Sequence, residues 1–419
     1  MKTRIFDHLP AGFREKALVY AQTFEFACLL ENRYQGDYPF GGFRNLLAGG
    51  SSEGAVDKPT VSKLRKIQTD KWLFGFLGYP VSEELLDIDL KKSPGLCFPD
   101  AILFEADWVL EWIAGGRISI VAEDPDLVYR QICYAQEYQP KGIHAGAITQ
   151  ISTKAHYFDQ VKAVHNLIRN GDVYELNLCR FFELETALNG LDVYTRLAQK
   201  SPMPFAGWFC GKGYEIASAS PERFLKKTGA KILSQPIKGS APRFKDPEAD
   251  LFSRDQLLLS EKERAENLMI VDLVRNDLCR IAVPGTTSVE EIFGIYSFPN
   301  IHQMISSVSA FTPTGAHYSD AIASAFPMGS MTGAPKLEAV KQIDRLENYP
   351  RGAFSGALGY ITPDQDFDFN VLIRSVFMNH NQQKSGFAVG SAITIDAEAE
   401  AEWAEGNHKA KAILEILSE

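Results

Sequence analysis

Four glutamates stand in two pairs of equal spacing, Glu263 with Glu266 and Glu402 with Glu405. Residues three apart share one helix face, so two helices carrying these pairs can turn four carboxylates toward one place. Oxygen donors of this kind suit a hard divalent cation such as Mg²⁺, which keeps bound waters and shares one or two carboxylates with its substrate. The spacing also fits a plainer reading, because Ser260-Glu-Lys-Glu263 is a capping-box pattern and Glu266 would then be solvated. Basic residues elsewhere, Lys238, Lys336, Arg374 and Lys409, supply groups for an anion. Acids for a cation and bases for an anion together point to an enzyme acting on a small carboxylated substrate.

Further candidates are weaker taken singly. In Gly329-Ser-Met-Thr332-Gly333-Ala-Pro335-Lys336 the proline suits the first position of a helix, whose unpaired N–H groups make a cradle for a carboxylate or phosphate. Arg374 lies in the run Phe367 to Met378, read as one strand, and its planar fork wants a carboxylate; Asp368 is the near alternative to a ligand. Lys238 follows Pro236, as at a strand edge. Glu222 can pair with Arg223 beside it, and His302 alone carries no assignment.

The elements that must position these groups read as α+β. The chain has 419 residues, 45% hydrophobic and 23% charged, enough for a large core. Alternation of Phe24, Phe26, Cys28 and Leu30, and of Trp72, Phe74 and Phe76, predicts strands, with Gly115-Gly116 as a turn. A short helix is expected from Pro125 to Gln136, another from Tyr157 to Asn170 stopped by Gly171, and a third over Leu337 to Leu346. We expect an amino-terminal β-rich region over 1–140 and a catalytic domain over 145–419, built on large antiparallel sheets.

Charge and composition exclude several roles. A net charge of −10 argues against nucleic acid as a partner. No apolar run approaches the roughly 18 residues that cross a bilayer, and the first residues lack a secretion signal, so a cytoplasmic protein is expected. The six cysteines show neither disulfide nor zinc spacing.

Several motifs in order resemble the chorismate-utilising enzymes: Gly171-Asp-Val-Tyr-Glu-Leu-Asn-Leu178, Ser220-Pro-Glu-Arg-Phe224, Ile270 to Asp277, Thr332-Gly-Ala-Pro-Lys336, Ser355-Gly-Ala-Leu-Gly-Tyr360 and the terminal glutamates. Leu29-Leu-Glu-Asn32 and Phe74 to Tyr79 extend the likeness toward the amino terminus. The resemblance implies antiparallel sheets packed as a sandwich with flanking helices. It implies Mg²⁺ held by Glu266 and Glu405, supported by Glu263 and Glu402. Substrate carboxylates would meet Arg374, Tyr360, Lys409 and the backbone at Gly390, with Thr332 and Gly333 lining the pocket and His302 as the active-site histidine.

Within the family, isochorismate and salicylate synthases carry a water-activating lysine where this chain has Glu175, and the family usually has glutamine there. Pro236-Ile-Lys238-Gly-Ser240 resembles the aminodeoxychorismate synthase branch, since anthranilate synthases usually have alanine at the lysine position. That branch implies attack of Lys238 on ring carbon 2 as the 4-hydroxyl leaves, Glu222 as general acid, and then ammonia adding at carbon 4 on a route to para-aminobenzoate and folate. An uncharged Lys238 amine, with a lowered pKa, is therefore expected. No cysteine sits in a Gly-x-Cys-x-Gly turn, so a separate glutamine amidotransferase subunit is expected to supply ammonia. Anthranilate synthase component I, or a non-catalytic regulator that binds an aromatic ligand, are the alternatives.

Overall fold

A computed structural model describes residues 1–51, 55–57, 64–65, 70–90 and 95–418. Two large antiparallel sheets dominate it. The first runs through Phe26–Glu31, Phe205–Gly211, Tyr214–Ser220, Ser375–Asn379 and Lys384–Ile393 to Glu175–Leu184. The second runs from Ile237–Pro242 through Ile301–Phe311, Lys231–Gln235, Arg223–Thr228, Phe367–Asn370 and Ala357–Ile361 to Leu73–Leu77.

The two sheets close on one apolar core. Phe76 meets Phe209 with ring centroids 5.2 Å apart, and Phe26 stacks on Phe104 at 5.3 Å. Each such buried ring contributes about 1.5–3 kcal/mol. Gly207 lets the sheets approach, since a Cβ there would lie 2.9 Å from Leu358 Cδ2. Strands Phe26–Glu31 and Leu73–Leu77 alternate as predicted but are buried on both faces, because the second sheet or a helix covers what alternation alone would expose.

Both sheets mix strands from either side of residue 140: Phe26–Glu31 pairs with Phe205–Gly211, and Leu73–Leu77 with Ala357–Ile361. The amino-terminal region thus adds strands to shared sheets instead of forming a layer of its own.

The predicted helices form over Pro125–Tyr134, Lys154–Asn170 and Lys336–Leu346. Gly171 stops the second at φ +83°. Pro335 caps the third from outside, one position earlier than expected. Helix Glu261–Cys279 packs on Ile301–Phe311 and Ile237–Pro242, and helix Ala399–Leu417 on Lys384–Ile393. No helix among the described residues is long and apolar enough to cross a membrane.

The expected strand Phe367 to Met378 is broken. Phe367–Asn370 belongs to the second sheet and Ser375–Asn379 to the first. The chain crosses between sheets over Val371 to Arg374, and Arg374 takes φ +52°. Tyr214–Ser220 and Arg223–Thr228 make the same crossing around Pro221 and Glu222. The crossings brace each other through Val371 N–H to Glu222 O at 3.0 Å and Ala219 N–H to Arg374 O at 3.1 Å.

Candidate active site

A cleft of about 340 Å³ opens between these crossings and the two glutamate-bearing helices. Glu222 and Arg374 reach it from the crossings; Lys238 reaches it from a bulge. Opposite Ile305 and Gln303, the strand Ile237–Pro242 slips register between Ile237 and Ser240, and Gly239 takes φ +94°. Such a bulge re-aims a side chain away from the regular ladder. Met331, Phe354, Ile373 and Val389 give the cleft apolar walls.

Glu222 is buried and accepts a hydrogen bond from Ser330 Oγ at 2.6 Å. Burial pushes its pKa up to about 7, against the pull of Ser330 and Lys238. It does not pair with Arg223, whose guanidinium bonds to Asp368 at 2.9 and 3.0 Å on the other face. Asp368 is therefore unavailable to Arg374. Among the described residues no carboxylate lies within ion-pairing distance of Arg374, and burial lowers its pKa. A sequestered guanidinium without a partner is a standing site for a substrate carboxylate. Lys409 donates to the Gly390 carbonyl at 2.9 Å and pairs with Glu405 at 3.0 Å.

Lys238 differs from expectation. It is buried and ion-paired to Glu175, which comes from the first sheet. Burial pushes the lysine pKa down, but the charges of Glu175 and Glu266 outweigh it and the net shift is upward. The resting amine is an ammonium because its neighbours are carboxylates.

The four glutamates all line the cleft from two facing helices. Ser260 caps the first by accepting from Glu263 N–H at 3.3 Å, which leaves the Glu263 carboxylate free to line the cleft. Burial lifts Glu266 and Glu402 to about 7 and raises Glu263, whereas Lys409 holds Glu405 down at about 2. Among the described residues no three acidic or imidazole groups stand close enough together to hold an ion as placed. The Lys262 ammonium bridges Glu266 at 3.9 Å and Glu402 at 3.7 Å, and is half-exposed. An all-oxygen donor set already gathered around one cation fits Mg²⁺ in kind.

Four expected site residues fall elsewhere. His302 is buried with its ring between Ser297 Oγ at 2.8 Å and Asp250 at 3.1 Å, and its neighbour Gln303 lines the cleft instead. Successive strand residues face opposite ways, so an offset of one moves the role. Tyr360 lines a separate hollow with Arg44, Trp72 and Lys226. Thr332 turns its hydroxyl to the Met328 carbonyl at 3.0 Å. Gly333 is spent on backbone approach, since a Cβ there would meet the Glu175 carbonyl at 2.2 Å. Ser330 and Met331 line the cleft where Thr332 and Gly333 were expected. Lys336 is also withdrawn, donating to Asp277 at 2.6 Å and to the Ala325 carbonyl.

Comparison with known proteins decides the family. Residues 51–415 match the chorismate binding enzymes. The chain belongs to that family. It is 33% identical over 348 residues to aminodeoxychorismate synthase component 1 of Salmonella typhimurium, covering 82% of this chain and 76% of the relative. A probable chloroplastic aminodeoxychorismate synthase of Oryza sativa is 38% identical over 271 residues, 64% of this chain but only 30% of that longer protein. The fold matches anthranilate synthase component I from Streptococcus pneumoniae with a TM-score of 0.75 at 21% identity, over 98% of this chain and 92% of the other. As a chorismate binding enzyme, the chain presents Glu222, Lys238 and Arg374 on one cleft.

Proposed function

We propose that the chain is the chorismate-aminating component of an aminodeoxychorismate synthase, acting in the cytoplasm on the route to para-aminobenzoate. The observation that carries this reading is Lys238, delivered by its bulge into the same cleft as Glu222 and Arg374. Arg374 and Lys409 bind the substrate carboxylates. Glu222, protonated by burial below about pH 7, gives its proton to the departing 4-hydroxyl. Lys238 is the nucleophile at ring carbon 2, and ammonia then replaces it from carbon 4. Mg²⁺, held by glutamates among Glu263, Glu266, Glu402 and Glu405 with Lys262 displaced, would neutralise the ring carboxylate. Ammonia comes from a glutamine amidotransferase partner in the cell.

The test is product analysis with chorismate, Mg²⁺ and ammonium chloride. The 4-amino product is expected, and Lys238→Ala is expected to lose it while still binding chorismate in a Mg²⁺-dependent way. Release of pyruvate with an ortho-aminobenzoate would assign the chain to the anthranilate branch instead.

A further inference from the structure

The cleft poses a problem that the function alone does not solve. A nucleophilic amine must be uncharged, yet Lys238 rests as an ammonium. Bulk water is a poor acceptor for its proton, because the amine is buried and a bound substrate would close the cleft further. The charged groups around it are Glu175, Glu222, Glu263, Glu266 and Glu405. Of these only Glu175 is in contact with Nζ. Glu222 must already hold a proton to serve as the acid, and the other three face the cation site.

Glu175 has a second feature. Its carboxylate is fully buried, and Oε2 has no hydrogen-bond partner among the described residues. A carboxylate shares its charge over both oxygens, so one buried oxygen without a donor is costly, and a neutral carboxyl in the same place costs less. Moving one proton across the existing contact turns two buried charges into two neutral groups. Desolvation favours the neutral pair more strongly as the cleft dries.

We propose that Glu175 is a positioning residue that takes the proton of Lys238 when substrate fills the cleft and returns it when the amine is released. This deepens the amination reading and rests on it. In the resting pair Glu175 is ionised and Lys238 is an ammonium. Proton transfer gives carboxylic acid and free amine. The amine then bonds to ring carbon 2, the ring double bond shifts, and the carbon 4 to oxygen bond breaks, with Glu222 supplying the proton that makes the leaving group water. Ammonia next bonds to carbon 4, the double bond returns, and Lys238 departs as a neutral amine. The new ammonium gives a proton to Glu222, and Glu175 gives its proton back to Lys238. The sum is chorismate plus ammonia going to the amino product plus water.

Glu175 makes nucleophile activation internal, with no proton exchanged with solvent. Glutamine at this position would leave a buried lysine whose pKa desolvation lowers, and whose proton must escape to water. That alternative also works, but its rate then depends on pH. The difference is what the experiment reads.

Wild-type chain, Glu175→Gln and Glu175→Asp are compared from pH 5.5 to 9 with chorismate, ammonium chloride and saturating Mg²⁺, so that the cleft glutamates contribute alike. The free ammonia concentration is held constant. Wild type should show no lysine-dependent rise with pH. Glu175→Gln should acquire a rising limb relative to wild type: its rate should be at least tenfold below wild type at pH 6, and the ratio of the two should close as pH rises, with the fall set by Glu222 common to both. Glu175→Asp should be slower at every pH while keeping the wild-type profile shape. Thermal melts confirm that each variant is folded, and chorismate affinity should change less than threefold. Superposable profiles for wild type and Glu175→Gln would overturn the proposal, as would failure of Glu175→Asp to keep the wild-type shape when folded. Failure of the amination reading looks different, because wild type itself would then give no 4-amino product.

Discussion

Among the described residues two lysine–carboxylate pairs are buried, and only one of them faces the cleft. Lys336 pairs with Asp277 at 2.6 Å and also donates to the Ala325 carbonyl. Lys238 pairs with Glu175 and faces further carboxylates. Burial wins at Lys336, whose pKa is lowered, and neighbouring charge wins at Lys238, whose pKa is raised. The first pair ties helix Lys336–Leu346 to helix Glu261–Cys279 and has no substrate-facing surface. The second ties the two sheets together, with Lys238 lining the cleft. The same residue types therefore serve architecture in one place and reactivity in the other, and surroundings decide which.

The sharpest way to separate the pairs is to delete each lysine. Lys238→Ala should cut amination at least a thousandfold, since it removes the amine that attacks ring carbon 2. Its stability should fall modestly because water from the cleft can reach Glu175. Lys336→Ala should cost about 3–5 kcal/mol of stability by leaving Asp277 buried and unpaired, while its folded fraction keeps near-normal turnover. Denaturant titration and turnover per folded molecule report both arms. Equal stability loss with equal activity loss would erase the distinction.

Arg374 is the opposite case, a cation with no ion-pair partner among the described residues. Arg374→Ala should weaken chorismate binding by about 2–4 kcal/mol, within the range for one member of a desolvated charge pair. Isothermal titration with Mg²⁺ present measures it. Stability should rise or stay level, because no partner in the protein is lost.

Glu222 sharpens the comparison by pH. Its folded pKa of about 7 lies above the ordinary glutamate value of 4.5. The acid form that donates to the leaving group is thus lost as pH rises through about 7, and turnover should fall over that window. The same shift contributes stability that is fully present below 4.5 and lost as pH rises through about 7. Glu222→Gln should remove the falling limb and slow turnover about 10²–10⁴-fold. A falling limb that persists in Glu222→Gln would assign it to another group.

Much of this was legible in the sequence where local pattern decides structure. Ser260 and its helix, Gly171 as a helix stop and the Gly115-Gly116 turn follow from short-range rules. Glu222, Lys238, Arg374 and the four glutamates were reached through motif and type. What the sequence hid is long-range. Nothing local shows that Phe367 to Met378 crosses between sheets, because its apolar residues suit either sheet. Glu175 drew notice only as a departure from glutamine, and its contact with Lys238 spans 63 positions and two sheets. The upward pKa shift of Lys238 follows from that contact and from Glu266, and no local pattern carries it. The resemblance points to His302, whereas strand alternation puts its neighbour Gln303 on the cleft.

That last choice gives the smallest expected effect. His302 is held between Ser297 and Asp250, and Asp250 is also bound by Arg243 at 2.8 and 2.9 Å. Burial keeps the imidazole pKa below its ordinary value, so the ring is neutral near pH 7 and bridges its neighbours by hydrogen bonds. His302→Asn removes part of that bridge, at a cost of about 1–2 kcal/mol, and should leave kcat/KM within twofold in the folded protein. Gln303→Ala opens the cleft wall beside Ser240 and removes an amide whose Oε1 has no partner among the described residues. It should raise KM severalfold without loss of stability. If the two variants exchanged these phenotypes, with His302→Asn silencing turnover and Gln303→Ala silent, the chemistry would lie on the other face of strand Ile301–Phe311, and the cleft containing Lys238 would not be where chorismate reacts.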